Sequence, residues 1–104
     1  MLVLSRQIDE SVMIGRKLMV TLTDVDARSV QIRVRGELIG GADDGLSIDR
    51  VFELAVGSNQ MLGPLVNVIL VELIGAKARF GFIYPRHISV HRKEIFDVTE
   101  RDES

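Results

Sequence analysis

The chain has 104 residues, 46% of them hydrophobic and 27% charged, with no cysteine and a net charge of −2 from 13 basic and 15 acidic residues. That supplies one modest core, and the lack of cysteine excludes disulfides and thiol chemistry, leaving stability to packing. A slightly acidic balance excludes a generic polyelectrolyte binder, so any nucleic-acid contact must rest on a local patch of shaped contacts.

No apolar run approaches the length of a bilayer span, and Met1 leads straight into strand-like sequence without a signal-peptide pattern, which predicts a soluble, cytoplasmic chain. Residues 2–7 read as a first strand whose alternation puts Leu4 and Arg6 on one face and Val3 and Ser5 on the other. Ser11–Ile14 continues as a second strand, closed by a turn at Gly15. Leu18, Val20 and Leu22 then alternate with Met19, Thr21 and Thr23, and after a polar turn Val30, Ile32 and Val34 alternate with Gln31, Arg33 and Arg35. Both are half-buried antiparallel strands.

Residues 36–45 break the pattern with four glycines and the turn dipeptide Asp44-Gly45. This is a loop. No Gly-Lys-Ser/Thr follows and no GxGxxG spacing is present, so it is not a phosphate cradle, and Asp43 and Asp44 lack the further oxygens of a metal shell. Beyond the loop the apolar pattern repeats at an offset of 48 residues, as from Met13-Ile-Gly15 to Met61-Leu-Gly63. The same offset carries Leu18, Val20, Leu22, Val25, Ile32 and Val34 onto Val66, Val68, Leu70, Leu73, Phe80 and Phe82. Residues 49–56 admit two readings: a strand, or a short helix built on the spacing of Val51, Leu54 and Ala55.

Near the end, Ile88, Ser89 and Val90 form a short strand closed by His91, and residues 93–99 place Ile95, Phe96 and Val98 at helical spacing. Arg92 stands at the junction, a fixed cation past a strand end, with an ion pair to a nearby carboxylate such as Glu94 as the purely structural reading. The acidic residues 100–104 read as a solvated tail. His87 and His91 share a strand face, but no cysteine or carboxylate completes a metal shell, and no motif places a catalytic set. Neither an enzyme, a metal site nor a cofactor is expected.

The opening Met1-Leu-Val-Leu-Ser-Arg6 and the closing Val90-His-Arg-Lys-Glu-Ile95 together resemble the carbon storage regulator family (CsrA/RsmA). Residues 55–63 resemble the family's second-strand region, and Leu46-Ser-Ile-Asp-Arg50 resembles Ile88-Ser-Val-His-Arg92. On that resemblance the chain reads as two tandem units, residues 1–50 without a helix and residues 51–104 with one, folding together as a single-chain pseudo-dimer. The implied fold is all-β, mainly antiparallel, with one short C-terminal helix, arranged as a strand-exchanged two-sheet sandwich. One consequence needs explaining: Ile69, Val71 and Ile83 fall on the face away from the core, where the first unit has Thr21, Thr23 and Arg35. The C-terminal helix, the Leu38-Ile39 segment or a second molecule would have to cover it.

Carried over residue by residue, the resemblance implies an RNA site made of Leu4 and Arg6 on the first strand and Ile88, Val90, His91 and Arg92 on the last. Its ligand would be GGA-containing single-stranded or hairpin-loop mRNA, and its role post-transcriptional regulation. The chemistry suits the residues: a guanidinium fork bonds phosphate or guanine edges bidentately, and strand edges offer backbone groups to splayed bases. Two departures are visible, Ile83-Tyr84-Pro85 in place of Asn-Ala-Pro and Gln7 where a second basic residue is common. The mirror-related site would comprise Arg50, Phe52 and Leu54, a degenerate set that keeps one arginine. One competent site per chain follows from the resemblance, with a homodimer and a regulatory protein or small-RNA antagonist as further candidate partners. The alternative is a protein-interaction module that keeps the fold but binds RNA weakly or not at all.

Overall fold

The structure, a computed structural model, describes residues 1–38 and 46–103. Among them run nine strands and a helix: β1 Leu2–Arg6, β2 Ser11–Ile14, β3 Lys17–Val25, β4 Ser29–Leu38, β5 Leu46–Ala55, β6 Asn59–Leu62, β7 Val66–Ile74, β8 Lys77–Ile83, β9 Val90–Arg92 and α1 Lys93–Glu103. All pairings among the described residues are antiparallel, in a four-stranded sheet β1-β8-β7-β6 and a five-stranded sheet β5-β4-β3-β2-β9. The period-2 rows account for the core. Val20, Leu22, Ile32, Val34, Val68, Leu70, Phe80 and Phe82 are all buried, in one cluster that joins both sheets. Each such side chain contributes about 1.5–3 kcal/mol by leaving water.

The two ends of the chain are exchanged between the sheets. β1 pairs with β8, far along the sequence, while β9 returns to pair with β2. The 48-residue offset persists in the backbone: Leu2↔Phe82, Leu4↔Phe80 and Arg6↔Ala78 recur as Arg50↔Val34, Phe52↔Ile32 and Leu54↔Val30. A bulge between Leu22 and Asp24 recurs between Leu70 and Glu72. The Asp9 N–H donates to the Leu22 carbonyl at 2.7 Å, and the Gly57 N–H to the Leu70 carbonyl at 2.7 Å. Asp9 and Gly57, at equivalent places, both have positive φ, 72° and 85°. Where glycine holds such a position the left-handed conformation carries little strain; Asp9 tolerates it through its short polar side chain.

Three sequence expectations are corrected. Of the two readings of residues 49–56 the helix is overturned: residues 46–55 are one 10-residue strand, β5, laddered on β4 from Leu38↔Leu46 to Ser29↔Ala55. No glycine or proline interrupts residues 46–55, and the ladder overrides the local helical spacing of residues 49–56. The loop begins later than residue 36, since β4 continues to Leu38 with Gly36 inside it at φ 123°; Asp43 and Asp44 lie outside the described residues. The helix runs to Glu103, so the acidic end continues α1 instead of forming a tail.

The outward face of the four-stranded sheet is apolar as expected, with Val71 and Ile83 exposed. α1 packs on β2 and β9 of the other sheet. Ile39 lies outside the described residues, whereas Met1 lies beside Val71 over Gly81: a Cβ at Gly81 would stand 2.6 Å from the Met1 Sδ.

Candidate functional site

β9 gives the five-stranded sheet an edge whose polar groups can be assigned from register. The Gly15 N–H donates to the Ser89 carbonyl at 2.7 Å. Alternation along an antiparallel ladder then turns the backbone of Ser89 and His91 toward β2, and that of Val90 and Arg92 toward the open edge. The side chains of Ile88 and Val90 enter the core, while His91 and Arg92 are exposed. Buried aliphatic anchors thus hold the strand while its outer edge and terminal cation face solvent.

β1 brings Arg6 to the same place from the other end of the chain. Ser5, Arg6, Gln7, Glu10, Lys77 and Arg92 line one cleft of about 250 Å³. Leu4 lies next to it in the core, 9% exposed. Of the six residues expected in the site, Arg6 and Arg92 share this cleft, Leu4 precedes it on β1, Val90 and His91 lie on β9, and Ile88 lines a different cleft.

Arg6 occupies the cleft in an unexpected way, being only 5% exposed. Its Nε–H donates to the Ser5 carbonyl at 2.8 Å, and Nη1 donates to the Ser11 carbonyl at 3.1 Å and to Glu94 Oε1 at 2.8 Å. Nη2 donates to Glu94 Oε2 at 2.9 Å. A guanidinium has five N–H donors, so this fork-to-fork pair and two carbonyls leave little for another ligand. The Arg6 hydrogen bonds hold the Glu94 carboxyl well below its ordinary range, down to about 2, with its own backbone N–H at the start of α1 assisting. Arg6 is raised in turn, chiefly by the same bond.

Glu94 gives both its carboxylate oxygens to Arg6, and Arg92 acts on it only as a nearby charge. Among the described residues no carboxylate forms an ion pair with Arg92, which leaves it the exposed cation of the cleft, with Lys77 beside it. Sequence reasoning named Glu94 only as a neighbour of Arg92 and missed its pairing with Arg6, and it missed Lys77. A signal for the first was present: an arginine on the inward row with Leu4 needs a buried-side acceptor, and an acidic residue in the first turn of the terminal helix can supply it.

At the mirror-related place, Leu54 fills the position of Arg6 and is 2% exposed. Arg50 lies on the same strand as Phe52, its guanidinium 4.9 Å from the ring centroid. Among the described residues no strand pairs with the outer edge of β6, where β9 covers the corresponding edge of β2. Nor, among them, do three His, Cys, Asp or Glu side chains cluster as a metal site, and no helix is long and apolar enough to cross a membrane.

Residues 1–37 match the model of the CsrA global regulator protein family. The chain is also similar to a translational regulator CsrA from Rhodopirellula baltica, 38% identical over 37 residues, which is 36% of this chain and 53% of that protein. The chain thus spans about half the length of that curated relative, and β9, Arg92 and α1 lie outside the residues that the family model matches. No solved structure matches the chain. The likeness to the carbon storage regulator family thus rests on residues 1–37, which carry Leu4, Arg6 and the strands β1 to β3.

Proposed function

We propose that the chain is an RNA-binding translational regulator that reads a GGA-containing single-stranded or loop segment along the outer edge of β9. The observation that carries this reading is that the exposed Arg92 shares a cleft with the end of β1, at the end of a strand whose Val90 and Arg92 backbone faces the open edge. Splayed purine bases can take hydrogen bonds from a strand edge, and a guanidinium can bond or stack on the adjoining nucleotide. Leu4 shapes the floor. Arg6 acts from beneath, holding Glu94 and the start of α1 and thereby the end of β9.

The exchanged ends and the backbone repeat at an offset of 48 residues support reading the chain as two tandem family units, residues 1–50 and 51–104, in a single-chain pseudo-dimer. Fusion makes the partner strands permanently available, so assembly does not depend on concentration. With Leu54 in place of Arg6, one competent site per chain is expected. RNA regulation, not catalysis, is the proposed activity.

Titration of the chain with a GGA hairpin, with mass read at the same time, tests this. Binding should be salt-dependent and one RNA per chain, and Arg92→Ala should weaken it about tenfold or more, about 1.5–3 kcal/mol for a charge-assisted contact, without lowering thermal stability. Salt-independent or absent RNA binding would favour a protein-interaction module, and two equivalent RNAs per chain would refute the single site.

A further inference from the structure

A second cleft, of about 390 Å³, opens at the other end of β9, between the β2–β3 turn and the segment entering β9. Arg16 and Lys17 line it from the turn, Glu37 from β4, and His87 and Ser89 from the approach to β9. The Gly15–Ser89 hydrogen bond ties its two walls together, and Gly15 has the positive φ, 64°, that turns the chain there. Arg16, Lys17 and His87 are exposed, and Lys17 stands across from Glu37 in the β3–β4 register. The site therefore offers donors of positive charge and one carboxylate acceptor, in a volume at the lower end of the range for small-ligand sites.

Its position relative to Arg92 gives it a role. From Ser89 to Arg92 is about 10 Å of extended strand, the axial length of about three stacked nucleotides at 3.4 Å each. A strand of RNA whose bases are read along that edge, with one end at Arg92, must leave the other end at this cleft. Resting on the RNA reading above, we infer that the cleft is a flanking-nucleotide subsite. Lys17 and Arg16 hold the sugar-phosphate next to the bases read by β9, and Glu37 accepts from a donor on that nucleotide. The RNA is thus gripped at both ends of β9, by Arg92 and Lys77 at one and by Lys17 and Arg16 at the other, which explains how an acidic chain can hold a polyanion without a broad basic surface.

The test compares two RNAs on the full chain: a minimal GGA oligonucleotide, and the same sequence extended by several uridines on each side. Affinities are measured over a range of salt for the unsubstituted chain, Lys17→Gln, Lys17→Gln with Arg16→Gln, and Glu37→Gln. The extended RNA should bind the unsubstituted chain about tenfold tighter than the minimal one. The double substitution should remove most of that advantage, lower the salt slope for the extended RNA by about 0.7 per lost phosphate contact, and leave the minimal RNA unaffected. Glu37→Gln should tighten binding of the extended RNA or change which base is preferred beside GGA. If extension gives no advantage, or the advantage survives the double substitution, the subsite is refuted while the reading along β9 stands. If the minimal RNA fails to bind, or binds equally well after Arg92→Ala, the RNA reading itself fails and the subsite with it.

Discussion

Replacing Glu94 with glutamine removes one charge from the Arg6 fork while keeping its shape, so it measures what the ion pair contributes. The Glu94 carboxyl titrates near 2 in the folded chain against an ordinary 4.5. Because the folded value is the lower one, the pair stabilises the fold above the unfolded value, and that contribution disappears as pH falls from about 4.5 toward 2. Converted in full, a displacement of this size is about 3 kcal/mol. The carboxylate side chain is 56% exposed, however, and solvent screens it, so about 1 kcal/mol is the realistic expectation. Unfolding of the native and Glu94→Gln chains should therefore differ by about 1 kcal/mol in denaturant at pH 7, or by about 4–8 °C in the midpoint of a thermal melt for a chain near this size. The two curves should converge between pH 4.5 and 2. A difference that persists unchanged to pH 2 would refute an origin in the Glu94 charge, and equal stabilities at pH 7 would refute the clamp altogether.

Gly36→Ala should destabilise the fold by about 2–3 kcal/mol or more, read as a fall in melting temperature, because the added Cβ would lie 1.8 Å from the Lys17 backbone oxygen at a φ of 123°. Arg50→Ala should leave RNA affinity unchanged in the titration that detects the loss from Arg92→Ala, costing only the exposed contact with the Phe52 ring, about 0.5–1 kcal/mol of stability. Phe82→Ala, at a fully buried position shared by both sheets, should cost about 3–5 kcal/mol in a denaturant melt.

The strands were legible because burial in a two-layer sandwich imposes period 2, and the rows from Val20 to Phe82 carry it almost without exception. The continuity of β5 was harder to see. Leu46-Ser-Ile-Asp-Arg50 resembles a terminal strand and the residues after it resemble an initial one, but nothing between them breaks the backbone, and β4 is long enough to ladder both. The candidate site was half legible. Its residues could be placed by motif, yet motif treats Arg6 and Arg92 alike, and their environments differ: one is inside, saturated by Glu94 and two carbonyls, while the other is outside. Only the fold brings Glu94 across 88 residues of sequence to Arg6, so their ion pair could not be read from local spacing.

That pairing also explains why the two halves diverge in side chains while repeating in backbone. An arginine on an inward row stays charged, so burying it is costly unless a carboxylate meets it there, and the carboxylate here arrives on α1, which follows β9. On the other side of the sandwich the described residues provide no helix after a returning strand, hence no Glu94 equivalent. An arginine at position 54 would be a buried cation with its main acceptor missing, whereas leucine fills the same inward place and contributes apolar burial instead. If the chain is two tandem units, the missing second arginine and the missing second helix have one physical cause. Under the tandem reading, the chain keeps a polar clamp only where it keeps a strand edge to present, at β9, and packs the mirror-related place as core.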